Sequence, residues 1–190
     1  MLGSSSFSTT PGQTQLMLNR GNGSFDNGTS RLPADPAQTS AVQLVDVDGD
    51  RDLDLILGKD GSGGPAQTRL FLNDGRGNFR DVTAAQVPRD QEQTRSLTVA
   101  DVDGDGDPDL VLGKGRSRAS STTAVLLTDL DRDGDVDLVE ADATATGSTI
   151  RRSWNDGRGV FGTTTTIATP RYFPGTLAAA DIDGDQDNDL

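Results

Sequence analysis

The chain has 190 residues, a mean hydropathy of −0.51 and a formal net charge of −13, the balance of a water-soluble protein with room for one large domain or two small ones. It contains neither cysteine nor histidine, which excludes disulfide scaffolds and thiolate or imidazole metal sites and removes the commonest general base. No apolar run approaches the roughly 20 residues that cross a bilayer, and Met1-Leu2-Gly3-Ser4 has neither the charged nor the apolar region of a secretory leader, so the chain is expected to stay inside the cell or to be a piece of a longer one.

In chain order, Met1-Leu2-Gly3 opens with an apolar pattern that returns at Ile56-Leu57-Gly58 and Val111-Leu112-Gly113. The N-terminus is therefore a candidate to supply the strands missing after the last unit and so to close a ring, although a cut through a longer repeat array would look the same. Next comes Leu18-Asn19-Arg20-Gly21-Asn22-Gly23-Ser24-Phe25, whose pattern is repeated at Leu72 to Phe79 and at Trp154 to Phe161. Glycines at fixed offsets between apolar flanks mark a tight turn with positive φ, hence a hairpin. Asn22 and Asn27 begin glycosylation sequons, which matter only in a secreted eukaryotic protein.

Val42 and Leu44 belong to an alternating run that predicts a strand with one buried face, as do Leu97 and Val99, Val125 and Leu127, and Leu177 and Ala179. Each run leads into an acidic loop, at Asp46 to Leu55, Asp101 to Leu110, Asp129 to Leu138 and Asp181 to Leu190. A second apolar run follows at Leu55 to Gly58, Leu110 to Gly113 and Leu138-Val139, so each loop is expected to join two strands of a hairpin. With the second hairpin added, a full unit is four short strands in roughly 53 residues, the period of a β-propeller blade. Between Gly113 and Thr123 the chain is too short for two outer strands, which predicts a two-stranded stub or a deletion. Pro170-Arg171 aligns with Pro88-Arg89 and places Tyr172 and Phe173 in a connection, as an exposed contact pair or a buried plug. Trp154, aligned with Leu18 and Leu72, is expected to pack on an outer strand.

The acidic loops share one pattern: Asp at positions 1, 3, 5, 7 and 9, an apolar residue at position 2 and Leu at position 10. They hold 20 of the 30 acidic residues, so the rest of the chain carries 17 basic against 10 acidic groups. Carboxylates packed this densely repel by about 4 kcal/mol per pair at contact range near a surface. A hard divalent cation taking six to eight oxygen ligands, as calcium does, would collect them. Alternate residues of a tight loop turn their carboxylates inward while glycine permits the bend. The bland alternative is an Asp-rich turn held by Asx hydrogen bonds.

The four loops resemble the calcium loops of FG-GAP/VCBS repeats, the units of integrin-α-like β-propellers, and the resemblance covers nearly the whole chain. It implies side-chain ligands from positions 1, 3, 5 and 9 and a backbone carbonyl from position 7. Carried onto this sequence, these are Asp46, Asp48, Asp50 and Asp54 with the carbonyl of Asp52; Asp101, Asp103, Asp105 and Asp109 with that of Asp107; Asp129, Asp131, Asp133 and Asp137 with that of Asp135; and Asp181, Asp183, Asp185 and Asp189 with that of Asp187. Up to four calcium ions are implied.

Two rival chemistries have weaker support. Asp129 to Gly134, with Glu140 after them, satisfies an EF-hand pattern, but the sister loops put Leu57 and Leu112 at the glutamate position and the flanks alternate as strands do. Whether Glu140 adds a ligand is open. Thrombospondin-type acidic repeats depend on cysteines that are missing. Catalysis by paired carboxylates needs one pair with separated pKa values beside a cleft, whereas every cluster here recurs, and no nucleophile motif is present.

The expectation is an all-β chain: a β-propeller of four-stranded blades, four in number with the third incomplete, as a single domain over residues 1–190 with units near 1–55, 56–110, 111–138 and 139–190. The resemblance implies an extracellular or cell-surface adhesion or recognition module without catalysis; the alternative is a carbohydrate-binding propeller or a non-catalytic part of a larger surface enzyme. The expected partner is a protein or a glycan; nucleic acid and membrane insertion are not expected. Two chains are further expected to associate through the incomplete blade.

Overall fold

The computed structural model describes residues 14–61, 64–117, 120–144, 146–172 and 174–190. The strand expected at Met1-Leu2-Gly3 and the ring of Phe173 lie outside them. Twelve strands are present among the described residues: β1 (Met17–Asn19), β2 (Phe25–Asn27), β3 (Thr39–Val45), β4 (Asp54–Lys59), β5 (Arg69–Asn73), β6 (Phe79–Asp81), β7 (Thr94–Ala100), β8 (Asp109–Ser117), β9 (Ser120–Thr128), β10 (Asp137–Thr144), β11 (Gly147–Ser153) and β12 (Thr165–Ala168). Helix among these residues is confined to a 3-10 turn at Thr29–Arg31 and to α1 (Thr83–Gln86), and no described helix is long and apolar enough to cross a membrane.

The chain is all-β. Its strands form a two-stranded sheet β1-β2, a four-stranded sheet β3-β4-β5-β6 and a six-stranded sheet β12-β11-β10-β9-β8-β7, antiparallel throughout. Three of the four acidic loops join hairpins, β3 to β4, β7 to β8 and β9 to β10; the strand expected at Leu177 and Ala179 is not formed, and the last loop is closed only by the bridged pair Ala180 and Asp189. The glycine turns close the second kind of hairpin, β1 to β2 and β5 to β6, and at 154–161 an Asn155–Phe161 bridge.

The core explains the stacking. β4 is buried along its whole length, as its unbroken Leu55-Ile56-Leu57 run requires. Leu55 and Leu57 pack with Phe71 and Leu32, while Ile56 faces the other way into Leu70, Leu72 and Val82, against which Leu97, Val99 and Leu110 of the next hairpin lie. β4 and the middle of β5 are therefore covered on both faces. Close approach is set at Gly58, where a Cβ would fall 2.8 Å from Thr94 Cγ2.

Two further sequence expectations are revised. Val42 and Leu44 alternate as foreseen, but they stand on the open side, 55% and 50% exposed. They pair directly with Leu57 and Leu55 and so share their face. Leu16 and Leu32 cover that face at β4 and β5, and among the described residues the cover stops short of β3. The second concerns the stretch between Gly113 and Thr123, expected to mark a two-stranded stub or a deletion: its described residues extend the neighbouring hairpins, β8 running on to Ser117 and β9 starting at Ser120, with Ser117 paired to Ser120 and Gly115 to Ser121. This contact fuses two loop-bearing hairpins into one sheet.

A buried ion pair, unforeseen from sequence, anchors the end of β4 away from the loop. Lys59 and Asp35 are 0% and 3% exposed at their side chains, and Lys59 Nζ also donates to Ala37 O at 3.2 Å and Thr39 Oγ1 at 2.7 Å. Lys114 repeats the arrangement with Asp90 and Thr94 at the half-buried next unit. Removing one partner strands a charge in a dry site. Lys59→Ala is expected to cost about 3–5 kcal/mol in urea denaturation, and the joint replacement Lys59→Met with Asp35→Leu to recover most of it.

Candidate metal centres

Each acidic loop reverses direction through two residues in the left-handed region, at positions 4 and 6: Gly49 and Arg51, Gly104 and Gly106, Arg132 and Gly134, Gly184 and Gln186, with φ between 64° and 99°. A side chain at such a φ costs about 1–2 kcal/mol, and every loop keeps glycine at one of the two positions. The backbone N–H groups thereby turn inward and meet the carboxylates.

The bonding repeats loop by loop. Position 1 accepts from the position-4 N–H: Asp46 from Gly49 at 2.8 Å, Asp101 from Gly104 at 2.8 Å, Asp129 from Arg132 at 2.7 Å and Asp181 from Gly184 at 2.7 Å. Its second oxygen accepts from the position-6 N–H. Position 9 reaches back to the position-2 N–H, as Asp54 to Val47, Asp109 to Val102, Asp137 to Leu130 and Asp189 to Ile182 at 2.9–3.0 Å. Asp50, Asp105, Asp133 and Asp185 at position 5 each accept from the N–H of position 7. Position 3 accepts from the N–H of position 5 at 3.2–3.3 Å.

These Asx bonds fix the loops but leave their charge uncancelled. In every loop three carboxylates bring an oxygen within 4.8 Å of one another: Asp46, Asp48 and Asp50; Asp101, Asp103 and Asp109; Asp129, Asp131 and Asp137; Asp181, Asp183 and Asp189. Asp54 stands outside the first group and Asp105, Asp133 and Asp185 outside the others, while no position-7 residue joins a group. Asp52 and Asp135 instead lie against Gly75 and Gly157 of the glycine turns; Asp187 pairs with Arg132. Asp48, Asp103 and Asp131 are pushed above the usual carboxylate range, first by partial dehydration and then by the negative neighbours in their own loops. All-oxygen, all-carboxylate donors at this spacing fit a hard divalent cation.

The glycine turns support the loops, a role that sequence reasoning did not assign. Asn73 donates its backbone N–H to Asp54 Oδ1 at 2.8 Å and its amide to Leu53 O at 3.1 Å. Asn155 repeats both bonds, to Asp137 Oδ1 at 3.0 Å and Val136 O at 3.1 Å. Asp54 and Asp137, so served, are 0% and 1% exposed, whereas Asp109 and Asp189 have no such second donor among the described residues and are more open. The recurrence of asparagine at 19, 73 and 155 was the available signal. The third and fourth loops also touch: Arg132 donates to Asp185 O at 2.8 Å and Asn188 to Asp129 O at 2.8 Å.

Glu140, left open as a ligand, sits on β10 opposite Val125 and Arg151 and pairs with Arg151 at 3.9 Å. Burial, then the charge of Asp142, raises its pKa, with Arg151 opposing. Strands flank the 129–137 loop, so it is no EF-hand. Trp154 is half-buried with Arg152 stacked 4.1 Å from its ring centroid, and Tyr172 is 82% exposed. Asn22 and Asn27 are exposed, each accepting an N–H two residues on.

Antiparallel hairpins that each carry the same acidic loop define a repeat protein with a candidate metal centre in every unit. The family model of the FG-GAP-like repeat matches residues 6–57, 46–112 and 129–190, and the chain belongs to that family. All four loops fall inside the matched segments, and the internal stretch they leave out, 113–128, holds the end of β8 and the whole of β9. No curated protein and no solved structure matches the chain.

The raised carboxyls carry a stability sign. A group whose folded pKa is raised penalises the folded state above that pKa, and the penalty fades as pH falls through it. Asp103→Asn is therefore expected to raise the melting temperature of the divalent-free protein at neutral pH by about 1–3 °C, with the gain vanishing in acid. An unchanged or lower melting temperature at neutral pH would show that the loop tolerates its own charge.

Proposed function

We propose that the chain is a calcium-stabilised β-propeller module that holds a partner without chemistry of its own. In this reading β3–β6 form one four-stranded blade and β9–β12 another, β7–β8, bridged to β9, form the two-stranded blade between them, and the outer pair β1–β2 completes the fourth blade, whose inner pair flanks the last loop at Ala180 and Asp189. In each loop the side chains at positions 1, 3, 5 and 9 and the carbonyl at position 7 would hold the ion. Bound calcium supplies the positive charge that lets the carboxylates converge and ties the start of the loop to its end. The observation that carries this reading is the convergence of three carboxylates at matching places in four loops, three of them using positions 1, 3 and 9.

Repetition of one geometry supports a structural ion over a catalytic one, since an active site differentiates its carboxyls. FG-GAP-like repeats are generally non-catalytic binding modules, typically outside the cell, which supports a surface or extracellular adhesion role with a protein or glycan ligand. Exposed Tyr172 offers an aromatic contact for either.

Millimolar calcium is expected to raise the melting temperature by at least about 10 °C over chelated protein, and calorimetric titration to count up to four ions. A melting temperature indifferent to chelation would remove the calcium reading. The two-stranded blade also supports self-association of two chains: sedimentation is expected to show mass rising with concentration in calcium, and a monomer at every concentration would end that part of the proposal.

A further inference from the structure

Asn155 touches two loops. Its backbone N–H and side-chain amide hold Asp137 and Val136 of the 129–137 loop, and the same amide nitrogen donates to Val102 O of the 101–109 loop at 2.7 Å. Gly159 of the same turn donates its N–H to Val102 O at 3.0 Å, and Val102 lies between two of the clustered carboxylates, Asp101 and Asp103. Asn155 is 7% exposed, so these bonds form in a dry place where each counts. The turn at Asn73, by contrast, holds only the loop of its own sheet, through Asp54 and Leu53.

The reason lies in the strand count. β7 and β8 are followed directly by β9, so the 101–109 loop has no glycine turn of its own. The turn after β11 takes up that duty beside its own. We propose that Asn155 is a positioning residue that couples ion binding at the 101–109 and 129–137 loops, a proposal that rests on the calcium reading above. An ion ordering either loop fixes the shared turn, and the second ion then binds a loop whose ordering cost is already met. The coupling is positive and local, and the 46–54 loop lies outside it.

The test uses terbium as a probe for the calcium loops. Trp154, the only tryptophan, adjoins Asn155 and is expected to sensitise terbium in the two loops that the turn touches; calorimetry with calcium follows the same variants. Asp101→Asn, which disables the first of the two loops, is expected to weaken ion binding at 129–137 about fivefold. In an Asn155→Ala background that effect is expected to vanish, while Asn155→Ala alone weakens both loops and Asn73→Ala weakens one. An equal fivefold loss in the Asn155→Ala background that shrinks in 0.5 M salt would mark the lost Coulomb attraction of the Asp101 carboxylate for the neighbouring ion and overturn the proposal. So would an Asp101→Asn protein whose 129–137 loop binds as tightly as before, a result that stands even where Asn155→Ala fails to fold. Wild-type protein with neither sensitised emission nor a calcium-dependent melting temperature fails earlier, at the calcium reading itself.

Discussion

Like charge held at close quarters is the constraint on which the rest of this structure depends. Five aspartates in each ten-residue loop repel one another, and the loop stays closed because its own backbone donors are turned onto them. Position 1 takes two N–H groups from the far side of the bend, and position 9 returns to the N–H of position 2. Both contacts need the left-handed residues at positions 4 and 6, so backbone conformation, hydrogen bonding and charge form one device. The hairpin on either side of the loop inherits its register from that device.

The support is uneven along the chain. Asp54 and Asp137 are sealed by a turn that follows in their own sheet, while Asp109 and Asp189 are not. Sheet packing follows the same division. β4 is covered on both faces, with Lys59 and Asp35 neutralising each other in the dry end of the layer, whereas the strands before the last loop shrink to a single bridged pair at Ala180 and Asp189. Ordering is thus concentrated where a loop, a turn and a buried strand coincide.

Much of this was legible from spacing alone. A loop with aspartate at every second place and a turn with glycines at fixed offsets are encoded locally, so both appear where the sequence puts them, with positive φ at Gly75 and Gly77 as at Gly157 and Gly159. Contacts between units were not legible. Val42 and Leu44 carry the same alternation as Leu97 and Val99, yet only the latter have a neighbouring sheet against them. Nothing near Lys59 in the sequence announces Asp35, and nothing near Asn155 announces Val102, because each partner arrives through the stacking of sheets. The stretch between Gly113 and Thr123 is too short for two outer strands, and the strand at 114–117 and 120–122 follows from the pairing each hairpin offers the other.

The fusion of β8 to β9 obeys a rule of parity. In an antiparallel sheet neighbouring strands point opposite ways, so a unit that lacks an even number of strands hands the chain back in the direction it would have had anyway. β8 leaves the 101–109 loop and β9 returns toward the 129–137 loop, and all the acidic loops of the fused sheet stay at one end. Lacking a single strand would have sent the next loop to the opposite end. Arrays built this way can vary in length by hairpins, and their acidic loops stay at one end of the sheet while the rest of each unit is free to change.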